Sequence, residues 1–205
     1  MLIRPWTPVA SQWIVIPRDD IDTDQIIPAR FLTTTRRDGL GTHAFHDWRY
    51  RADGSTDPAF PLNRPEARGA RILVAGHNFG CGSSREHAVW ALLGAGIGAV
   101  VSTGFADIFR GNALGNGLLP VQVASTVVES LMNPARFAPD ALLAIDLETQ
   151  ALTLPDGSSV RFPVPPFARH CLLNGVDELE FLLGAEGDID AFELARVPPG
   201  SLSAR

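Results

Sequence analysis

Lysine is absent from this 205-residue chain; all seventeen basic residues are arginines. That removes a P-loop, whose lysine reaches the phosphates. Cysteine is scarce. Two residues, Cys81 and Cys171, make no disulfide framework, so a reducing cytoplasm is the expected setting. Two thiols cannot supply the usual cysteine set of an iron–sulfur cluster, and no His/Cys spacing matches a zinc site, so no metal ligand is assigned here. If the chemistry needs a metal, another chain must bring it. No apolar run approaches the roughly 20 residues of a membrane span, and Met1 to Trp6 reads as lacking a signal-peptide core. The net charge of −6, with arginines scattered, argues against a nucleic-acid surface. An apolar content of 45% is ordinary for a globular chain with a sizeable core, and the length fits one domain.

What is present centres on Arg71 to Ala91. Ile72-Leu73-Val74-Ala75 reads as a buried strand closed by a glycine. Gly76, Gly80 and Gly82 give a tight turn, and Ser83-Ser84-Arg85-Glu86 matches a capping box in which Ser83 opens a helix and Glu86 answers it. Ala88, Val89, Ala91, Leu92 and Leu93 continue that helix. Two serines and an arginine thus stand at a helix start, where free N–H groups suit a carboxylate or phosphate. The same pattern also serves as plain strand–turn–helix scaffolding. It is not a nucleophile elbow, because Ser84 rather than glycine follows Ser83.

Trp13-Ile14-Val15-Ile16 is a predicted first strand. Asp19 to Asp24 lacks the spacing of a calcium loop and reads as a turn held by Asp and Thr side chains. Pro28 can open a short helix; the aperiodic stretch that follows, about 29–45, reads as a mobile loop. His43, Phe45, His46, Trp48 and Tyr50 form an aromatic patch whose histidines read as packed or partner-contacting. Gly98 to Ser102 and Leu118 to Val123 are further strands, separated by a helix from Ala106 to Leu114. That alternation predicts parallel pairing. Pro155-Asp156-Gly157 marks a hairpin, Ala168 to Leu183 is helical with a break near Asn174-Gly175, and a frayed tail is expected from about 185 to 205.

Asn78 to Ala88 resembles the signature of the swivelling domain of the aconitase superfamily. Asp22-Thr23-Asp24-Gln25-Ile26-Ile27-Pro28, Ser102 to Phe109, and Asn116-Gly117-Leu118-Leu119-Pro120 fit it in the same order. From about Trp13 to about Phe181, and in length, the chain resembles small subunits of 3-isopropylmalate dehydratases. The resemblance implies a single three-layer β/β/α swivelling domain with a partly parallel central sheet, residues 1–205. It implies a hydro-lyase of leucine biosynthesis, active only with a large subunit that carries a [4Fe–4S] cluster, acting on a small dicarboxylate. Ser83 would be the base, acting as an alkoxide, and Arg85 would bind a substrate carboxylate. Ser84 would assist as donor or cap, and Asp22 and Asp24 would order the loop. Glu86 reads as a capping partner rather than an acid, and Cys81 as a small packed residue. The family's substrate-reading Tyr-Leu-x-x element matches Phe31-Leu32-Thr33-Thr34 here. Thr33 stands where homoaconitase-like chains have arginine, which favours an alkyl-bearing substrate with Leu32 as a wall. Phe replaces Tyr, and the loop is longer, with Arg36 and Arg37 close by. The alternatives are a subunit of a citraconate or methylmalate hydro-lyase or of homoaconitase, and, from another class, a non-catalytic anion-binding regulatory module.

Overall fold

In the computed structural model, residues 4–33 and 37–196 are described. Among them eight strands form: β1 (Val9–Ser11), β2 (Trp13–Ile16), β3 (Ile72–Ala75), β4 (Ala99–Ser102), β5 (Leu119–Gln122), β6 (Leu143–Asp146), β7 (Ala151–Thr153) and β8 (Ser159–Arg161). β2, β3, β4 and β5 pair in that order, all parallel, as the strand–helix alternation predicts. β1, β6, β7 and β8 make a second, antiparallel sheet. The helices are α1 (Thr23–Ile26), α2 (His46–Arg49), α3 (Glu86–Gly94), α4 (Asp107–Asn116), α5 (Ser125–Leu131), α6 (Pro166–Asn174), α7 (Glu178–Gly184) and α8 (Glu186–Arg196).

The unbroken apolar runs of the parallel strands follow from burial on both faces. Ile14, Ile16, Leu73 and Val100 point into a core shared with α1, α3 and α4. Their neighbours Ile72, Val74, Ala99, Val101, Leu119 and Val121 point the other way, into a core shared with Leu143, Ile145 and Leu152 of the antiparallel sheet. Period-two alternation therefore builds the three layers, sheet, sheet and helices, of the expected β/β/α arrangement. Each fully buried Val, Leu or Ile stabilises by about 1.5–3 kcal/mol. No described helix is long and apolar enough to cross a membrane.

Two expectations are revised, and one strand was not expected. The stretch about 29–45 is not loose throughout: Leu40, Ala44 and Phe45 are core residues, and the Phe45 N–H donates to the Ile26 carbonyl at 2.7 Å. Gly41 and Gly94 make this docking possible. A Cβ on Gly41 would stand 2.1 Å from the Gly94 carbonyl carbon, so the segment lies backbone to backbone on the end of α3. Second, residues 186–196 of the predicted frayed tail form α8; residues 197–205 lie outside the described residues. The unexpected strand is β1, which has no counterpart in the sequence reading. Three residues carry too little pattern, and its pairing partner, β6, is far along the chain.

Candidate active site

The carboxyl ends of β2, β3 and β4 open into three loops, residues 17–22, 76–85 and 103–106, at the place where open parallel sheets hold ligands. Backbone bonds zip these loops together. Gly76 N–H donates to Arg18 O (2.9 Å), Gly80 N–H to Ile21 O (2.7 Å), Thr23 N–H to Cys81 O (2.9 Å) and Phe79 N–H to Gly104 O (3.0 Å). Asp20 and Asn78 are both left-handed, at φ of 52° and 55°. The Asn78 amide donates to the Asp20 carboxylate at 2.8 Å, tying the two strained residues to each other. Asn and Asp tolerate this region better than other residues with side chains. Ser102, fully buried, donates its hydroxyl proton to the Gly76 carbonyl at 2.5 Å and accepts the Gly104 N–H at 3.2 Å, pinning β3's exit to β4's.

Asp22 and Asp24 sit where the first loop becomes α1. Asp22 caps α1, accepting the Asp24 N–H, while its own N–H donates to Gln25 Oε1 at 3.0 Å. Its carboxylate lies against Gly82, whose φ is 88°; a Cβ there would meet Asp22 Oδ2 at 2.7 Å. Thr23, buried between the two aspartates, donates its hydroxyl to the Ser83 carbonyl at 3.0 Å. Arg85 pairs with Asp24, its guanidinium mostly buried and the carboxylate half-exposed. The N-cap and first turn of α1 therefore hold residues 82–85 at three points. Thr23 was missed as a site-forming residue, although its place in Asp-Thr-Asp was a signal.

The capping box is a correction. α3 begins at Glu86, its N-cap is Arg85, and no side chain caps it. Arg85 is extended, at φ −144° and ψ 107°, because Thr23 and Asp24 draw the preceding residues toward α1. Ser83 and Ser84 stay exposed beyond the helix start rather than folded over it. Glu86 accepts a hydrogen bond from the Asn116 amide at 3.2 Å.

Cys81 is packed, and burial, then Asp22 and Asp20, push its thiol pKa up; it is no reactive thiolate. Cys171 is buried on α6. Two thiols on separate elements do not fit a four-cysteine cluster. Among the described residues no three His, Cys, Asp or Glu side chains gather for a metal.

Leu32 is half-buried against the helix-side core and Thr33 is exposed, directly after the 3-10 turn Ala29–Phe31. Thr34 and Arg36 lie outside the described residues. Arg37 is engaged elsewhere, its guanidinium 4.8 Å from the centre of the Trp90 ring. Phe31 stacks on His43 at 3.9 Å and meets His46 at 4.7 Å, so these histidines are packed side chains. Burial, then the charges of His46 and Arg30, hold the His43 pKa below the usual value and its ring neutral at pH 7. One surface groove of about 300 Å³ is lined by Trp13, Pro61, Arg64 and Pro139 and touches neither Ser83 nor Arg85. Ser83 and Ser84 are exposed on the rim of the three loops, and Arg85 is partly buried there.

An antiparallel sheet backing a parallel one, with a serine–arginine loop at the strands' carboxyl ends, defines an aconitase-type swivelling domain; the Aconitase C-terminal domain family matches residues 14–126. The chain is 58% identical over 194 residues to the 3-isopropylmalate dehydratase small subunit of Anaeromyxobacter sp. (strain K), spanning 95% of this chain and 100% of that one. It belongs to the small-subunit family of 3-isopropylmalate dehydratases. The small subunit of Roseiflexus castenholzii (strain DSM 13941 / HLO8) is 52% identical over 203 residues, spanning 99% and 100% of the two chains. The crystal structure of a 3-isopropylmalate dehydratase (leuD) from Methanocaldococcus jannaschii DSM2661 superposes with a TM-score of 0.64 at 29% identity, covering 91% of this chain and 99% of that one.

Proposed function

We propose that this chain, as the small subunit of a 3-isopropylmalate dehydratase, supplies the base and the carboxylate clamp that interconvert 2-isopropylmalate and 3-isopropylmalate in leucine biosynthesis. The observation that carries the reading is the exposed Ser83, fixed through its carbonyl by Thr23 and followed by an Arg85 already oriented by Asp24. Dehydration takes a proton from one carbon and hydroxide from its neighbour; water then returns with the two positions exchanged. Ser83 Oγ takes the proton and gives it back. A serine alkoxide needs positive surroundings, and the start of α3 and Arg85 provide them. In the lone chain Asp24 offsets part of the Arg85 charge. Asp24 engages one terminal nitrogen of the guanidinium; its remaining donors face a substrate carboxylate in the fork geometry that suits one. Ser84 adds a donor to that carboxylate.

A small subunit implies a large one, and we assign to that partner the [4Fe–4S] cluster that acts as Lewis acid on the leaving hydroxyl. A reducing cytoplasm is consistent with two unpaired thiols. The purified chain should show no turnover and no iron–sulfur absorbance; with the large subunit added, activity should appear, highest on isopropylmalate within a panel of malate analogues. Hydratase activity in the chain alone, or a preference for another analogue, would contradict the assignment.

The substrate is read by the residue that meets its variable group. Thr33 is small and neutral, which suits a branched alkyl group; a carboxylate in that position would call for arginine. Arg37, stacked on Trp90, is not free to take that part. Thr33→Arg should lower kcat/KM for isopropylmalate at least tenfold, because closure buries an unpaired charge. It should raise relative activity on an analogue carrying a carboxylate there. Stability of the isolated chain should not move, since Thr33 is exposed in it. An unchanged ratio of the two kcat/KM values would show that this loop does not select the substrate.

A further inference from the structure

α3 starts without a cap, yet its position sets Ser83, Ser84 and Arg85. Something other than its own first turn has to hold it. The buried face of α3, Ala88, Val89, Ala91 and Leu92, is one anchor; Asn116, the last residue of α4 and one of few buried polar side chains, is the polar one nearest its catalytic end. Its carbonyl oxygen accepts Trp90 Nε1–H at 2.8 Å; its amide donates to Glu86 Oε1 at 3.2 Å and to Asn112 O at 2.8 Å. Glu86 and Trp90 are four apart on α3 and share a face. One amide therefore grips α3 at two points a turn apart, which fixes both its height and its rotation. The opposite side of the bargain is the loop: the face of the same indole carries the Arg37 guanidinium at 4.8 Å, just beyond the substrate-reading stretch. A cation held over an indole is worth about 0.5–1 kcal/mol when exposed and more when desolvated.

We propose that Asn116 and Trp90 are positioning residues that couple the substrate-reading loop to the catalytic end of α3. The indole N–H works toward α3, through Asn116. The indole face works toward the loop, through Arg37. The two halves of the isopropylmalate site are thereby set by a single side chain that touches no substrate. This rests on the assignment of Ser83 and Arg85 to turnover.

The test uses the assembled two-subunit enzyme. Asn116→Ala should lower kcat about tenfold and raise KM as well, since Ser83 and the Arg85 clamp both ride on α3. Arg37→Gln should raise KM about fivefold with kcat within twofold. Trp90→Leu removes both links and should show the low kcat with a KM above that of either single variant. Trp90→Phe restores the ring without the N–H, so it should behave like Asn116→Ala and not like Trp90→Leu. Phe and Leu variants that behave alike, or four variants whose losses simply track the folded fraction, would overturn the coupling. Amide hydrogen exchange is read in parallel over residues 88–91, the first hydrogen-bonded turn of α3, and residues 40–45. Asn116→Ala should speed the first segment, Arg37→Gln the second and Trp90→Leu both. Unchanged exchange in all of them overturns the coupling as well. Faster exchange at residues 88–91 with unchanged kcat keeps the coupling and refutes instead the role given to Ser83 and Arg85.

Discussion

Ser83→Ala is expected to lower kcat of the assembled enzyme by about 10²–10⁴-fold, the range that a positioned acid–base group contributes. At about 1.36 kcal/mol per decade that is roughly 2.7–5.4 kcal/mol of transition-state stabilisation. Substrate should still bind, because Arg85 and Ser84 remain. Folding should hardly respond. Had Ser83 been a helix cap, its loss would cost about 1 kcal/mol of stability; α3 has no side-chain cap, and Ser83 is held through its carbonyl, which alanine keeps. The measurement pairs kcat with a melting curve. A variant within tenfold of native kcat, whatever its stability, would remove Ser83 from the chemistry.

Arg85→Lys should fail differently. Lysine keeps the charge but presents a point cation, where arginine offers a planar fork. It can retain the pair with Asp24 or meet a carboxylate, but not with two parallel bonds. A hydrogen bond to a charged group is worth about 1.5–3 kcal/mol, so one lost contact predicts a roughly 10–150-fold rise in KM. kcat should fall too, because the positive field at Ser83 is displaced. Steady-state kinetics separate the cases: a KM effect dominates for Arg85→Lys and a kcat effect for Ser83→Ala. If Arg85→Lys left KM unchanged, the guanidinium would be serving Asp24 alone.

The parallel sheet was legible because its strands are buried on both faces, and Ile72-Leu73-Val74-Ala75 has no polar residue to confuse the pattern. The hairpin at Pro155-Asp156-Gly157 was legible from turn chemistry alone. The site was legible in its residue types and not in its local geometry. Ser83-x-x-Glu86 satisfies a cap pattern, but the tertiary pull of Thr23 and Asp24 extends Arg85 and defeats it. Such contacts join residues some sixty positions apart and leave no periodic trace. The docking of Leu40 to Phe45 was hidden for a similar reason. A 3-10 turn, a left-handed Phe45 and a glycine–glycine contact produce neither a 3.6-residue nor a two-residue repeat. Asn116 stood inside a matched motif, but nothing in one sequence says that its amide reaches back to α3.

The pairing of β1 with β6, Val9 against Ile145, sets a timetable for the growing polypeptide. Once Gln122 has left the ribosome, every parallel strand is free to pair, and α3 and α4 can cover one side of them. The other side, from Ile72 to Val121, gains Val128 and Leu131 of α5 first and is closed only when β6 and β7 arrive and β1 can join them. At about 5–20 residues per second, the stretch from Gln122 to Ile145 alone takes about 1–5 s. For that interval the nascent chain carries a half-covered greasy sheet, and its first strand waits for a mate not yet synthesised. The serine–arginine rim, built on the earlier strands, is ready before the sheet behind it is shielded. Newborn chains are thus most in need of a chaperone after their catalytic loop is in place, and a chain truncated shortly after Gln122 and released would have the site assembled and the back open.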